Sequence, residues 1–364
     1  MAHNVVLLLL SFLVIIVGSE LFTNGVEWLG VRLRLSEGAV GSVLAAVGTA
    51  LPETLIPFVA LVLFRGQASH DIGLGAILGA PFMLATAAFF VTALAAWIYR
   101  KRRENSWRLA VSRRVVARDL GFFVPLYGAA IAISFAPVGH WARSLVVAGL
   151  VILYAYYVYL NLRETGEGDK DEPLMLNLVW AAVPLLPPAD REAHKERREA
   201  IADGPPRLRA VSSQVLLALG LIVGGAYAFV DAVREISTSI GFPSLVVALV
   251  IAPLATELPE KFNSIIWVRQ GKDTLALGNI TGAMVFQSTF PVTLGILLTP
   301  WQFGLSSVGA AALLSAAITL VSALTLLVTV RSGRSETMGP WALGVGIVWW
   351  LFFIGFIVAT IVVR

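Results

Sequence analysis

Apolar stretches near or above the ~20 residues needed to cross a lipid bilayer recur along the whole chain. Hydrophobic residues make up 57% of its 364 residues and charged residues only 14%, whereas soluble domains carry about 25% charged residues. One water-soluble core cannot bury so much apolar surface. We therefore predict an all-α integral membrane protein. With no cysteine in the sequence, disulfides, thiolate metal sites and cysteine nucleophiles are excluded.

Ten spans are predicted between charged or Pro/Gly-rich breaks. The first has no Lys or Arg ahead of it and no small-residue cleavage site behind it, so we interpret it as a span and not as a secretion signal. Segment 174–187 is shorter and contains Pro184, which favours a surface-lying or re-entrant piece inside a polar connector, 164–210. The predicted spans are 4–28, 37–63, 72–99, 119–138, 143–162, 211–231, 243–268, 275–299, 305–330 and 339–363.

The distribution of positive charge predicts the orientation. Of the 27 Lys and Arg residues, 22 fall in alternate loops that would share one face of the membrane. Positive loops stay on the cytoplasmic side, so both termini should face outward and the 164–210 connector should be cytoplasmic. The net charge of +4 therefore reflects orientation and not nucleic-acid binding. Membrane lipid is an expected partner and nucleic acid is not, and the oligomeric state is left open.

The chain contains an internal repeat. GTALPE at 48–53 matches ATELPE at 255–260 with an offset of 207 residues, and GAILGA at 75–80 matches GNITGA at 278–283 with an offset of 203. The blocks divide the chain into a five-span half at 1–163, with a motif at 36–84. After the connector comes a second half at 211–364, with a motif at 243–287. Because each half has an odd number of spans, the second must enter the membrane from the opposite side, which is typical of secondary transporters.

Two carboxylates fall near the middle of predicted spans 2 and 7. Glu53 and Glu260 each follow a proline, Pro52 and Pro259. A charged group at mid-bilayer costs at least ~2.5–3.5 kcal/mol, so such an acid is a functional candidate. Proline removes a helical N–H and clashes with the preceding turn, so both helices should be broken there.

Hard oxygen ligands are expected beside these acids. We predict that the breaks free the carbonyls near Ala46 and Pro253, and that the hydroxyls of Thr49 and Thr256 lie next to them. Such a set suits Ca²⁺ or Na⁺ and not zinc or copper. Either threonine could instead bond back to its own helix.

The second pair of repeated blocks carries glycines that favour close helix packing. We expect Gly75, Gly79, Gly278 and Gly282 to bring spans 3 and 8 against the broken spans. Glycines in spans 1 and 6 should permit sliding there; these are Gly18, Gly25, Gly224 and Gly225. Asn279 and Gln287 are polar residues that either join the ligand shell or form ordinary interhelical hydrogen bonds.

At these motifs the sequence resembles the cation/Ca²⁺ exchanger superfamily, particularly the membrane region of sodium/calcium exchangers and their prokaryotic relatives. Members carry two repeats with a G-T/S-S-x-P-E-type core followed by a G-N-x-x-G-S-N-type block. The resemblance implies ten helices in two inverted repeats of five. It also implies that Glu53 and Glu260 are the central cation-binding acids, with Thr49 and Thr256 lining adjoining sites.

Departures from the family pattern bear on the coupling ion. Serine positions of the first block are Ala50 and Glu257, and those of the second block are Ala80 and Ala283. The resemblance associates those neutral oxygens with Na⁺, so their loss places Na⁺ coupling in doubt. Three acids in a low-dielectric site cannot all stay ionised without cations, which favours exchange of H⁺ for metal. Alternatively, Glu257 turns away and pairs with Lys261, four residues on.

The function predicted is a secondary antiporter that exports Ca²⁺ in exchange for Na⁺ or H⁺, with an H⁺-coupled or Na⁺/H⁺-type exchanger not specific for Ca²⁺ as the alternative. Neither a cofactor nor an enzymatic activity is expected. An intramembrane enzyme is disfavoured because the sequence lacks an HExxH motif and a Ser/His nucleophile arrangement. A channel lined by the two acids is the remaining class.

Overall fold

The computed structural model describes residues 1–32, 51–135, 139–164, 208–304, 306–333 and 337–362. The predicted ligands Ala46 and Thr49 lie outside the described residues. So does nearly all of the 164–210 connector, including its segment 174–187.

The described chain is almost entirely helical, as the apolar spans predict. Twelve helices are numbered here in chain order. They are α1 (Ala2–Arg32), α2 (Leu51–Leu63), α3 (Gln67–Ile98), α4 (Arg113–Phe135), α5 (His140–Glu164), α6 (Leu208–Ile240), α7 (Ser244–Thr256), α8 (Leu258–Arg269), α9 (Asp273–Gln287), α10 (Phe290–Leu298), α11 (Ser307–Ser332) and α12 (Trp341–Thr360).

Eight helical stretches among the described residues are long and apolar enough to cross a membrane. Seven of them lie in single helices, and the eighth runs from α9 through α10. Two shorter apolar helices, Leu51–Leu63 and Ser244–Leu254, lie within predicted spans 2 and 7. The molecule is therefore a helical membrane protein.

Predicted span 7 is broken, as its proline indicates. Helix α7 ends at Thr256, Glu257 adopts a non-helical conformation (φ −96°, ψ 8°), and α8 starts at Leu258. Pro259 occupies the first turn of α8, where a missing N–H costs nothing. For span 2, the residues preceding α2 are outside the described part, so only the helix from Leu51 onward can be compared.

A second break was not predicted. Helices α9 and α10 are separated by Ser288 and Thr289, just beyond Gln287. The position matching Gln287 in the first half is Leu84, where α3 widens into a π-helical turn at Leu84–Ala88. Both halves thus depart from regular helix at the same point of the repeat, and π-turns are frequent at functional sites.

Glycines bring α3 directly against α7. A methyl group added to Gly75 or Gly79 would collide with the backbone carbonyl of Leu245 or Leu249. Small residues at these positions let two helix backbones approach closely. The predicted packing of span 3 on a broken span is confirmed for this pair.

The matching glycines of the second half behave differently. Among the described residues, a methyl group at Gly278 would meet the side chain of Val115 in α4, and one at Gly282 the hydroxyl of Tyr157 in α5, both at ordinary contact distance. Helix α9 also packs on α8, the second part of broken span 7, where the Ser264 hydroxyl donates to the Ala276 carbonyl at 3.2 Å. The residues of span 2 that precede Leu51 lie outside the described part, so close packing of these two glycines on that span stays a prediction.

Helices α1 and α6 pack along their length. Gly18, Gly25 and Gly225 sit at close approaches between the two helices, whereas Gly224 has open space around its Cα. The prediction is thus confirmed for three glycines and wrong for Gly224, which lies on the other face of α6.

A buried ion pair ties the loop after α3 to the start of α9. Arg103 Nη2 lies 2.5 Å from Asp273 Oδ2, and the backbone N–H of Ala110 donates to the same oxygen at 2.7 Å. Residues Leu109–Ala110 form a short antiparallel ladder with Thr337–Met338. These contacts join segments that are distant in the sequence.

Asp273→Asn is expected to destabilise the fold by about 3–5 kcal/mol, because removing one partner leaves the Arg103 guanidinium buried without its counter-charge. The thermal unfolding midpoint of the purified protein should fall relative to that of Glu235→Gln, a matched change at an exposed acid. Equal midpoints for the two variants would contradict a stabilising role for this pair.

Candidate functional site: intramembrane carboxylates at a helix break

Both predicted central acids lie inside the protein. Glu260 belongs to the first turn of α8, and Glu53 lies in α2, whose described part begins at Leu51. Each side chain is buried, with 5% of its residue surface exposed. A helix N-terminus favours negative charge, so the start of α8 stabilises the Glu260 carboxylate.

Two of the three acids around the break have an oxygen with no hydrogen-bond donor among the described residues, Oε2 of Glu53 and Oε2 of Glu260. The third acid, Glu257, is fully buried, and its carboxylate interacts with Lys261 and Gln287. Leaving a buried carboxylate oxygen without a partner is costly. These oxygens are therefore candidate ligands for a cation.

The two halves of the chain meet electrostatically at this point. The charge of Glu53 on α2 interacts with those of Glu260 and Glu257, and also with that of Lys261. An acid from the first half and two acids from the second thus share one low-dielectric region. This is the juxtaposition that the repeated motif predicts.

A narrow cavity with room for about one water molecule lies beside Glu53. Its walls come from both halves of the chain. They are formed by Glu53, Ile56 and Pro57 of α2, Ala76 and Ala80 of α3, and Ala252, Pro253 and Thr256 of α7. Apart from Glu53, Thr256 and backbone groups, this lining is apolar, so the described walls offer few neutral side-chain oxygens.

Glu257 forms the predicted pair with Lys261. The Lys261 ammonium lies 3.3 Å from Glu257 Oε2, and the two side chains are 10% and 0% exposed. Pairing does not turn Glu257 out of the protein, however, since its charge also interacts with those of Glu53 and Glu260. Pairing with Lys261 and interacting with the other two acids, the two alternatives that the sequence left for Glu257, therefore occur together.

The Pro253 carbonyl, predicted as a ligand, accepts two hydrogen bonds in this structure. Its donors are the Glu257 N–H at 3.1 Å and the Lys261 ammonium at 3.4 Å. Because each helical N–H bonds to the carbonyl four residues back, the carbonyl that Pro259 leaves without a bond is that of Ala255 and not that of Pro253. The ligand role of Pro253 stays a prediction.

Thr256 lines the cavity, yet its hydroxyl bonds back to its own helix. Oγ1 donates to the carbonyl of Ala252 at 3.3 Å. This is the common helical alternative for a threonine. The oxygen keeps lone pairs for a cation, so its predicted ligand role stays a prediction, as does that of Thr49.

Gln287 lies in the site next to Glu257, and Asn279 lies earlier in the same helix. Gln287, at the end of α9, is 1% exposed, interacts with the Glu257 carboxylate, and has no donor for its Oε1 among the described residues. Asn279 is half-buried, and its Nδ2 lacks an acceptor in the same part of the chain. A ligand role for either residue remains a prediction.

The described residues contain no group of three acidic or histidine side chains arranged to hold a metal ion. The three glutamates around the break thus interact electrostatically but are not arranged to hold a metal ion. The Lys261 ammonium lies beside Glu257.

Sequence reasoning missed two features of the surroundings. Glu20, an acid inside the apolar helix α1, interacts electrostatically with Glu260. Its signal was available, because an acid within a span is a functional candidate by default. Ala76 forms one cavity wall together with Ala80, and the alanine residue type does not mark Ala76 as a site residue.

These apolar helices around buried carboxylates define a helical membrane protein, and comparison with known proteins gives its family. A family model described as "Sodium/calcium exchanger protein" matches residues 3–163 and again 213–362. The chain belongs to this sodium/calcium exchanger protein family. The resemblance to the cation/Ca²⁺ exchanger superfamily is thereby confirmed.

Relatives and solved structures agree with this assignment. A putative antiporter CaxA of Alkalimonas amylolytica is 23% identical over 333 residues, covering 90% of each chain. Cation/calcium exchanger 2 of Arabidopsis thaliana is 28% identical over 171 residues, 46% of this chain and 28% of the relative.

Two solved structures share the fold at 17% sequence identity. The H⁺/Ca²⁺ exchanger CAX aligns with a TM-score of 0.67 over 99% of this chain and 87% of its own. The sodium-calcium exchanger NCX_Mj aligns with a TM-score of 0.55 over 97% of both chains. At this identity the likeness shows the fold alone.

Proposed function

We propose that the protein is a secondary antiporter that moves Ca²⁺ in exchange for a monovalent cation, H⁺ or Na⁺, by alternating access. The observation that carries the proposal is the pair of buried carboxylate oxygens, Oε2 of Glu53 in the first half and Oε2 of Glu260 in the second, that find no donor among the described residues. Carboxylate oxygens are the ligands Ca²⁺ prefers. Ca²⁺ and the monovalent ion are its substrates, and neither an enzymatic reaction nor a resident cofactor is part of the proposal.

The architecture proposed is ten spans in two inverted repeats of five. Support comes from the family match to each half separately. It also comes from the irregularities at repeat-related positions, the π-turn at Leu84–Ala88 and the break after Gln287. In such transporters two repeats rock around a midplane site.

The proposed setting is a prokaryotic inner membrane with both termini outside and the 164–210 connector in the cytoplasm. The asymmetric distribution of Lys and Arg supports this orientation. In that orientation the Arg103–Asp273 pair and the short strand ladder lie on the cytoplasmic side.

The lining of the cavity favours H⁺ over Na⁺ as the coupling ion. Ala76 and Ala80 present methyl groups where side-chain oxygens would help to hold Na⁺. Protons need only the carboxylates themselves. An H⁺-coupled or Na⁺/H⁺-type exchanger not specific for Ca²⁺ remains the second candidate, because the same lining does not by itself select Ca²⁺.

The test is ⁴⁵Ca²⁺ uptake into proteoliposomes under imposed H⁺ or Na⁺ gradients. We expect saturable uptake that follows the pH gradient and needs a counter-ion on the far side. Uptake driven by Na⁺ and indifferent to pH would overturn H⁺ coupling while leaving Ca²⁺ exchange in place. Conductance without a counter-ion would indicate a channel, and exchange of H⁺ for other cations without Ca²⁺ would favour the second candidate.

Ala80→Ser is expected to make the protein more sensitive to Na⁺, because it adds a neutral oxygen to the cavity beside Glu53. One added hydrogen-bonding group corresponds to about a fivefold gain in Na⁺ competition against Ca²⁺ uptake. The matched control is Ala312→Ser, a buried alanine of α11 that packs in the apolar core. A similar rise in both variants would contradict the assignment of this wall to the ion site.

A further inference from the structure

The Lys261 ammonium lies where a bound cation would lie. Its Nζ is 3.3 Å from Glu257 Oε2 and 3.4 Å from the Pro253 carbonyl oxygen, inside the protein and beside the break between α7 and α8. A carboxylate and a backbone carbonyl are the oxygen ligands that also hold small metal cations. The chain thus supplies both the ligands and the positive charge.

The Lys261 ammonium lies slightly farther from both oxygens than a typical charge-assisted bond allows. Such N–H···O bonds are typically ≈ 2.7–2.9 Å long, whereas Nζ lies 3.3 Å from Glu257 Oε2 and donates to the Pro253 carbonyl at 3.4 Å. Attraction between opposite charges contributes to this contact, and a free cation can also supply it.

The pair is present in only one half of the repeat. At the offset of 207 residues, Glu257 corresponds to Ala50 and Lys261 to Thr54. Relative to the first half, the second has therefore gained one negative and one positive charge four residues apart, with no change in net charge. Both charges lie close enough to act on Glu53, while Lys261 also acts on Glu260.

We propose that Lys261 is a tethered monovalent cation that permanently fills a cation site formed by Glu257 and the Pro253 carbonyl. The site left for exchange then has two uncompensated acids, Glu53 and Glu260, whose charge a divalent cation balances. The identity of the exchanged ion rests on the proposed function. The filled site itself rests only on the geometry around Lys261.

Lys261→Ala tests the proposal, because it removes the ammonium and leaves room at Glu257. The thermal unfolding midpoint of the detergent-purified variant is measured in N-methyl-D-glucamine chloride, NaCl or KCl at equal ionic strength. We expect Na⁺ or K⁺ to raise it by about 5 °C more than in the native chain, the effect of a ligand near hundredfold excess over its Kd. The exposed Lys101→Ala change is the matched control and should gain nothing beyond the native chain.

A second variant keeps the test decisive. Glu257→Ala/Lys261→Thr reproduces the residues of the first half and should fold without any added requirement for Na⁺ or K⁺. If Lys261→Ala shows no cation-specific gain, or fails to fold in every cation while the double variant folds, a free cation does not replace the ammonium and the proposal is overturned. The unfolding measurement requires no Ca²⁺ transport. If the native chain showed no ⁴⁵Ca²⁺ exchange, the proposed function would be refuted, and the unfolding midpoints would still decide the proposal for Lys261.

Discussion

Glu53→Gln and Glu260→Gln are each expected to abolish measurable Ca²⁺ exchange. The amide keeps the shape of the side chain but removes a charge that balances the cation. Removing one partner of a buried charge pair costs about 3–5 kcal/mol, which corresponds to a loss of Ca²⁺ affinity of about a hundredfold or more. The measurement is ⁴⁵Ca²⁺ uptake into proteoliposomes across a range of Ca²⁺ concentrations.

The control for both variants is Glu235→Gln, the same chemical change at an exposed acid of α6. It should transport Ca²⁺ like the native chain. Thermal midpoints of all three variants separate loss of the site from loss of the fold. Native uptake by both Glu53→Gln and Glu260→Gln would contradict the assignment of the two acids to one cation site.

Gly79→Ala is expected to weaken the fold and to slow exchange strongly. The added methyl group meets the backbone of Leu249 in α7, which cannot rotate away as a side chain can. Overpacking of this kind costs about 1–3 kcal/mol. It would also separate α3 from α7, two helices that wall the cavity beside Glu53.

Gly128→Ala is expected to have the opposite effect on stability. Gly128 lies within α4, and an added methyl group meets nothing within 4 Å among the described residues. Replacing glycine by alanine in an unobstructed helix stabilises it by about 0.5–1 kcal/mol. The thermal midpoint should therefore fall for Gly79→Ala and stay level or rise for Gly128→Ala, and equal shifts would contradict close packing of α3 on α7.

The coupling ion connects these predictions. If one divalent cation balances Glu53 and Glu260, Glu257 remains paired with Lys261. The acid that the sequence suggested as a source of H⁺ coupling therefore already has a counter-charge. If H⁺ drives exchange, Glu53 and Glu260 are then the groups that carry it. The ⁴⁵Ca²⁺ measurements on Glu257→Gln separate these readings, since a proton carrier at Glu257 predicts loss of the response to the pH gradient.

Much of the fold was predictable because its signals are local. Each span is an apolar stretch, and a charged residue inside one is costly enough to stand out. The position of Glu260 at a helix break followed from Pro259, since proline cannot continue a helix hydrogen-bond ladder. The break after Gln287 was missed although Pro291 follows it, because a proline in the first turn of a helix is compatible with several arrangements before it.

The candidate site was predictable in its acids but not in its details. Glu53 and Glu260 were identified from their repeat and depth. The two donors to the Pro253 carbonyl were not predicted, because they depend on the exact residue at which α7 ends. The prediction for Gly224 was wrong because the side of α6 that faces α1 is set by how the two helices pack.

The sequence by itself determined that the chain is a helical membrane protein, that its halves are related, and which acids lie deep in the apolar spans. These properties follow from composition, spacing and the high cost of burying charge. Only the tertiary structure decided that the Lys261 ammonium lies between Glu257 and Pro253, and that Gly79 rests on Leu249. Such contacts depend on how helix faces meet, and no single stretch of sequence encodes the distance between two helices.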